Sequence, residues 1–203
     1  MPRPWSKQPL ESLDEAQLEA YERRREQIVA AAERLMGERG PGVTMAEVAA
    51  EAELGMSSVY RTFASKDELL DELAGRRAER WVGVWQAAVE APDPRAGLIE
   101  ALWTFGELEA LDPLADVVRN YVLGHRDTFQ PVTDAGVRAV ERAHAAGLRP
   151  DVDYEDMTRA IQVLSALPRG GDDWRRVLTI YIDGLFARDA GALPVAGPAA
   201  PRR

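Results

Sequence analysis

VTMAEVAAEAELGMSSVYRTFASKDELL, residues Val43 to Leu70, is the stretch that decides the fold. Its first half places Met45, Val48, Ala49 and Ala52 on one face of a short helix. Thr44 stands just before that face and Glu47 follows three residues on, the pattern of a capping box. Gly55 interrupts the pattern, and a second short helix follows with Val59 and Phe63 inward. Ser57, Ser58, Tyr60, Arg61 and Thr62 are left for its other faces. Two short helices joined by a tight Gly-containing turn make a helix-turn-helix, whose second helix can lie in the major groove of DNA. A plain packed hairpin explains the apolar spacing equally well. It does not explain a free face of small hydroxyls, one Tyr and one Arg, a set suited to base edges and phosphates.

Chemistry distributes roles within the motif. Thr44 lies at a helix N-terminus, where free N–H groups and the helix dipole favour phosphate, and Met45 is assigned with it to the DNA-contacting set. Ser57, Ser58 and Arg61 are candidates for base edges, the Arg fork fitting guanine O6 and N7. Met56 reads either as a thymine-methyl contact or as core. Val48, Val59, Phe63 and Leu69 read as the small core beneath.

At these residues the sequence resembles the TetR (tetracycline repressor-like) family of bacterial transcriptional regulators. VYRTF and the following SKDELL are its most specific parts, and the resemblance is close from Arg24 to Arg80. Two departures stand out: Glu53 where many members have Gly, and Gly55 where Ser is frequent. Gly remains an acceptable N-cap, though it offers no side-chain oxygen. The resemblance implies an all-α fold, with an N-terminal three-helix DNA-binding domain and a C-terminal helical ligand-binding and dimerisation domain. It also implies that Tyr60 and Lys66 reach phosphates.

Outward from the motif, residues 1–11 hold three prolines and read as a flexible arm whose Arg3 and Lys7 could reach a minor groove. The DNA-binding domain is assigned to 12–70, the effector-binding and dimerisation domain to 71–190, and a disordered tail to 191–203. Ser12 with Glu15 reads as a capping box opening a long helix. Leu13, Leu18, Tyr21, Ile28, Ala32 and Leu35 mark its inner side, and Gly37, Gly40, Pro41 and Gly42 stop it. Arg23, Arg24 and Arg25 sit between Glu22 and Glu26 and read as a solvated face with local ion pairs. From Ser65 a long helix with Leu69, Leu70, Leu73, Trp81, Val84, Trp85 and Val89 inward leaves the motif and belongs to both domains. Further helices are expected over 95–110, 114–128 (ended near Pro131), 133–146, 154–167 and 172–190.

The last two helices carry apolar stripes. Met157, Ile161 and Leu164 face Trp174, Val177, Leu178, Tyr181, Ile182 and Leu185, and these nine are assigned to a dimer interface. Such a stripe is equally a core signature. The family pairs these two helices with their symmetry mates as a four-helix bundle, and a palindromic operator requires a two-fold protein. Trp85, Trp103, Phe105, Glu107, Tyr121, His125 and Phe129 are assigned to an effector pocket, because pockets are mostly apolar with a few placed polar groups. Aromatic residues at helical spacing also suit plain core. The pattern favours an apolar or aromatic small molecule with a polar handle.

Charge runs against the DNA reading. The formal net charge is −9, and residues 1–80 carry 12 Lys and Arg against 16 Asp and Glu. Broad coating of nucleic acid needs wide phosphate neutralisation and is excluded; a small site with a few placed cations is not. There is no Cys and only two His, His125 and His144, so no thiol nucleophile and no zinc site of known spacing can be built. No phosphate-binding glycine loop, nucleophile elbow or dinucleotide fingerprint is present. No catalytic residue, metal or cofactor is assigned. The N-terminus lacks a secretory pattern and no stretch is apolar enough to span a bilayer, so a cytoplasmic protein is expected. The sequence therefore reads as a ligand-responsive homodimeric repressor on a pseudo-palindromic DNA operator. The competing reading is a helical dimeric adaptor, or a small-molecule-binding bundle, that keeps the fold without DNA binding.

Overall fold

Helix starts and stops follow local chemistry, with a few departures from expectation. The computed structural model describes residues 14–112, 114, 117, 126–167, 171–187 and 191–194. The expectations placed on the 1–11 arm, Leu13, Tyr121 and His125 lie outside the described residues. The first helix, α1 (Glu15–Arg39), opens on Asp14 rather than Ser12: Gln17 N–H donates to Asp14 Oδ1 at 2.8 Å, and the Asp14 N–H donates to Gln17 Oε1 at 3.1 Å. Gly37 does not stop it; the break falls at Gly40, whose φ of +75° is left-handed. Leu18, expected inside, is exposed; the buried residues of α1 begin at Ile28.

Then come α2 (Met45–Glu51) and α3 (Met56–Thr62), with the capping box at Thr44 and Glu47 in place. Ile28, Val29, Ala32, Leu35, Met36, Val48, Val59, Phe63 and Leu69 form the core of this head. The long helix α4 (Lys66–Glu90), capped by Ser65, runs from the head into the body.

The body comprises α5 (Pro94–Leu111), α6 (Arg126–Ala145), α7 (Tyr154–Ser165) and α8 (Asp173–Leu185). All eight elements among the described residues are helices, and α4 packs chiefly against α6 and α5. Two expected boundaries fall elsewhere. Pro131 lies inside α6 instead of ending a helix; so near the helix start its missing N–H removes only one early backbone bond. Helix α8 ends at Leu185, short of residue 190, where the Leu185 carbonyl accepts the Arg149 N–H at 3.1 Å.

Residues 191–194, expected in a disordered tail, are fastened to the same loop. The Gly191 carbonyl accepts Arg149 Nη2 at 2.7 Å, and Leu193 N–H donates to Asp151 Oδ2 at 2.9 Å. The Arg149 fork, helped by that Leu193 N–H, holds the Asp151 carboxyl well below the usual carboxylate range.

The body is closed by aromatic packing. Trp85 lies 4.8 Å from Phe105 and 5.9 Å from Tyr154 between ring centroids, and Trp81 lies 5.8 Å from Phe129. Two glycines let rings approach backbone. A Cβ on Gly136 would meet Tyr154 Cε2 at 2.1 Å, and one on Gly106 would meet Trp174 Cζ3 at 2.6 Å. No helix of the described residues is long and apolar enough to cross a membrane.

Candidate nucleic-acid interface

Helix α3 turns most of its surface to solvent. Only Val59 and Thr62 face inward; Met56, Ser57, Tyr60 and Arg61 are exposed and Ser58 is half-buried. Thr62, expected on a free face, is turned in, its Oγ1 donating to the Ser58 carbonyl at 3.1 Å. Met45, counted among the DNA contacts, is corrected as well. It is 7% exposed and belongs to the core face of α2, so its side chain serves packing. Gly55 caps α3 with extended backbone and no side-chain bond.

Thr44 and Lys66 are exposed and half-buried respectively, and both already have partners within the head. Thr44 N–H and Oγ1 each donate to Glu47 Oε2 at 2.8 Å. Those bonds, led by the Thr44 N–H, hold the Glu47 carboxyl below its ordinary value, with Arg39 adding at 3.4 Å. Lys66 Nζ donates to the Pro41 carbonyl and so pins the α1–α2 turn to the start of α4.

The acidic balance of the head is used internally. Arg34 pairs with Glu51 at 2.5 Å, Arg39 with Glu47, Arg25 with Glu72, Arg76 with Glu26, and Arg23 with Glu19 at 3.7 Å. In the Arg23–Arg25 run, Arg23 pairs locally with Glu19, and Arg25 pairs with Glu72 while also favouring the charged form of the neighbouring Glu26. Arg61 has no such partner among the described residues and stands on the open face of α3. A negative total is therefore compatible with a cation offered at the one place where base edges would be read.

The turn between α2 and α3 carries a cost. Glu53 has φ +53°, a left-handed conformation that side chains bearing a Cβ disfavour by about 1–2 kcal/mol. Its side chain is exposed. Glu53→Gly is expected to stabilise the head by about 1 kcal/mol, since strain relief outweighs the added freedom of the unfolded chain. A lower thermal midpoint for the variant would overturn this account.

In the body, the nine residues assigned to a dimer interface divide. Met157, Leu164, Trp174, Leu178, Ile182 and Leu185 are buried within the protomer and are corrected to core. Ile161, Val177 and Tyr181 are half-buried. The exposed apolar positions on these helices are instead Val163, 56% exposed, and Ile180, 63% exposed. Sequence reasoning missed Ile180 because α8 is apolar on two faces, and a single stripe merges them. The phase offers the missing signal: Val177, Ile180, Tyr181 and Gly184 repeat at three and four residues, displaced from Trp174, Leu178, Ile182 and Leu185. With Ala160 and Val163 they line an apolar groove of about 470 Å³. Burial pushes the Tyr181 hydroxyl above its ordinary value, with Asp156 and Asp153 adding to the shift.

Of the effector set, Trp85, Phe105 and Phe129 are buried and belong to the ring cluster. Trp103 is half-buried against Trp174, with centroids 6.0 Å apart. Glu107 is exposed and lies 3.6 Å from Arg175. The structure thus brings three of the seven together as core and leaves Trp103 and Glu107 on the α8 side of α5.

Among the described residues the chain is all-helical, with a helix-turn-helix head mounted through one long helix on a helical body, and such a head can lay its second helix in a major groove. Residues 28–73 match the family described as bacterial regulatory proteins, tetR family. A TetR transcriptional regulator from Streptomyces coelicolor is 25% identical with a TM-score of 0.58, the match covering 81% of this chain and 99% of that one. A TetR transcription regulatory protein from Mycobacterium vanbaalenii is 23% identical with a TM-score of 0.59, covering 83% and 98%. SmeT, the repressor of a multidrug efflux pump in Stenotrophomonas maltophilia, is 22% identical with a TM-score of 0.61, covering 84% and 97%. No curated protein matches the chain. The head thus matches the tetR regulatory-protein model, and the chain shares its fold with these solved regulators.

Proposed function

We propose that the protein is a homodimeric repressor that binds a pseudo-palindromic operator in the cytoplasm and is released from it by a small apolar or aromatic molecule. The observation that carries this reading is the recognition helix, whose exposed Ser57, Tyr60 and Arg61 stand clear of the head's internal ion pairs. Arg61 and the two serines read base edges, while Tyr60, Thr44 and Lys66 meet the DNA backbone. For Thr44 and Lys66 this means exchanging Glu47 and the Pro41 carbonyl for phosphate oxygens.

Two-fold pairing is supported by the apolar α7/α8 groove, with Val163 and Ile180 at its exposed edge. The effector reading is supported by the rings on α4, α5 and α6. A molecule entering beside Trp85, Phe105 or Phe129 must part rings already in contact. It would therefore move α4, which begins at the recognition motif. A coupling of about 1–3 kcal/mol is ordinary for such a link. The adaptor reading leaves the free face of α3 without a use.

DNA selection on the purified protein, repeated with Arg61→Ala and Tyr60→Phe, is the test. Wild type is expected to enrich one inverted repeat. Arg61→Ala should relax preference at one base position by roughly 1–3 kcal/mol, and Tyr60→Phe should weaken all sequences alike. A well-folded protein that enriches no sequence at low salt would establish the adaptor or ligand-binding bundle instead.

A further inference from the structure

Two consecutive arginines of α4 face opposite ways. Arg76 turns to the head. Its Nη1 donates to Glu26 Oε2 at 2.7 Å and its Nε to Glu72 Oε1 at 2.7 Å, and Glu72 also takes Arg25 of α1. Arg77 turns to the body. Its Nη2 donates to Glu109 Oε1 at 2.6 Å, its Nη1 donates to Asp112, the C-cap of α5, and its guanidinium lies 4.9 Å from the Trp81 ring centroid.

The two clusters differ in solvent access. Glu26 is 61% exposed, whereas the side chains of Arg77 and Glu109 are 3% and 5% exposed. Salt screens the first pair far more than the second.

The buried cluster is a poor bargain for stability alone. One cation faces two carboxylates, and Arg77 Nε has no hydrogen-bond partner among the described residues. Apolar residues of similar volume are often at least as stable at such a site. What the cluster does supply is direction, because a planar guanidinium holding two carboxylates fixes the azimuth of its helix in a way a point charge does not.

We propose that Arg77 is the positioning residue that sets α4, and with it the DNA-binding head, at a fixed angle on the body. The inference rests on the dimeric operator reading above. In a dimer the second head finds its half-site by an intramolecular step, whose effective concentration depends on how well the two heads are placed. A head free to swing about α4 keeps its half-site affinity and loses the advantage of the pair. Arg77 touches no DNA, so its contribution appears only in the full site.

Arg77→Lys tests this, keeping the charge and aliphatic stem while removing the fork. Binding is measured on the selected inverted repeat, on one half-site, and on repeats with the spacer changed by one base pair. Half-site affinity is expected to stay at the wild-type level. Full-site affinity should fall about tenfold, within the range usual for intersite coupling, and the altered spacers should be discriminated less. Glu109→Gln, which keeps the volume and removes one charge, should act in the same direction more weakly, and it decides the matter if Arg77→Lys does not fold.

Wild-type full-to-half-site ratios and spacer preference in the folded variants would overturn the proposal alone. A wild-type protein that selects no inverted repeat would overturn the dimeric operator reading and this inference with it.

Discussion

Trp85→Ala is expected to lower the stability of the protein by about 3–5 kcal/mol, the usual cost of removing a fully buried aromatic side chain. Trp85 is 1% exposed, sits on the long helix shared by head and body, and stacks obliquely on Phe105 with Tyr154 at its edge. Little can move in to fill the gap. Tyr154 is already wedged against Gly136, and Phe105 is itself fully buried. Trp85→Phe keeps much of the apolar volume and should cost well under half as much. The unfolding midpoint in urea, read by circular dichroism, measures both. A loss below about 1 kcal/mol for the alanine variant would mean that the ring cluster relaxes freely and is not the support of the body.

Ile180→Glu is expected to abolish pairing of protomers and to lower full-site DNA affinity by about 10²-fold or more, the advantage lost when two linked binding events become one. Ile180 is the most exposed large apolar side chain among the described residues, so the substitution leaves the protomer core untouched. A charge on the outward face of α8 costs nothing in the monomer and must be desolvated in any apolar interface. Sedimentation, together with binding to the full and half sites, checks the result. A folded variant that remains a dimer would move the interface away from the α7/α8 groove. Leu178→Glu is no substitute for this test, because Leu178 is 1% exposed and its loss would unfold the body.

The head was legible because short helices are governed by local chemistry. Thr44 and Glu47 fixed one start, Gly55 the next, Ser65 the third, and the inward set Val48, Val59, Phe63 and Leu69 followed from spacing. Thr62 escaped because a hydroxyl can satisfy itself on the preceding turn and be buried, which no polarity pattern reveals. In the body, periodicity located α5, α7 and α8 but merged the two apolar faces of α8, since tertiary packing decides which of them turns inward. The Arg77 cluster was invisible for a different reason. Glu109 and Asp112 are far from Arg77 in sequence, and each looks like a surface charge until α4 and α5 are laid together.

The seven residues of α3 give only Val59 and Thr62 to the core, and its cap is a glycine with no side chain to lose. On the operator reading proposed above, what the helix says to DNA is written on positions that hold up nothing. Exchanging Ser57, Tyr60 or Arg61 would then rewrite the address without touching the building, so a regulator of this construction would acquire new targets by substitutions on α3 while its body and any signal it answers to are inherited unchanged.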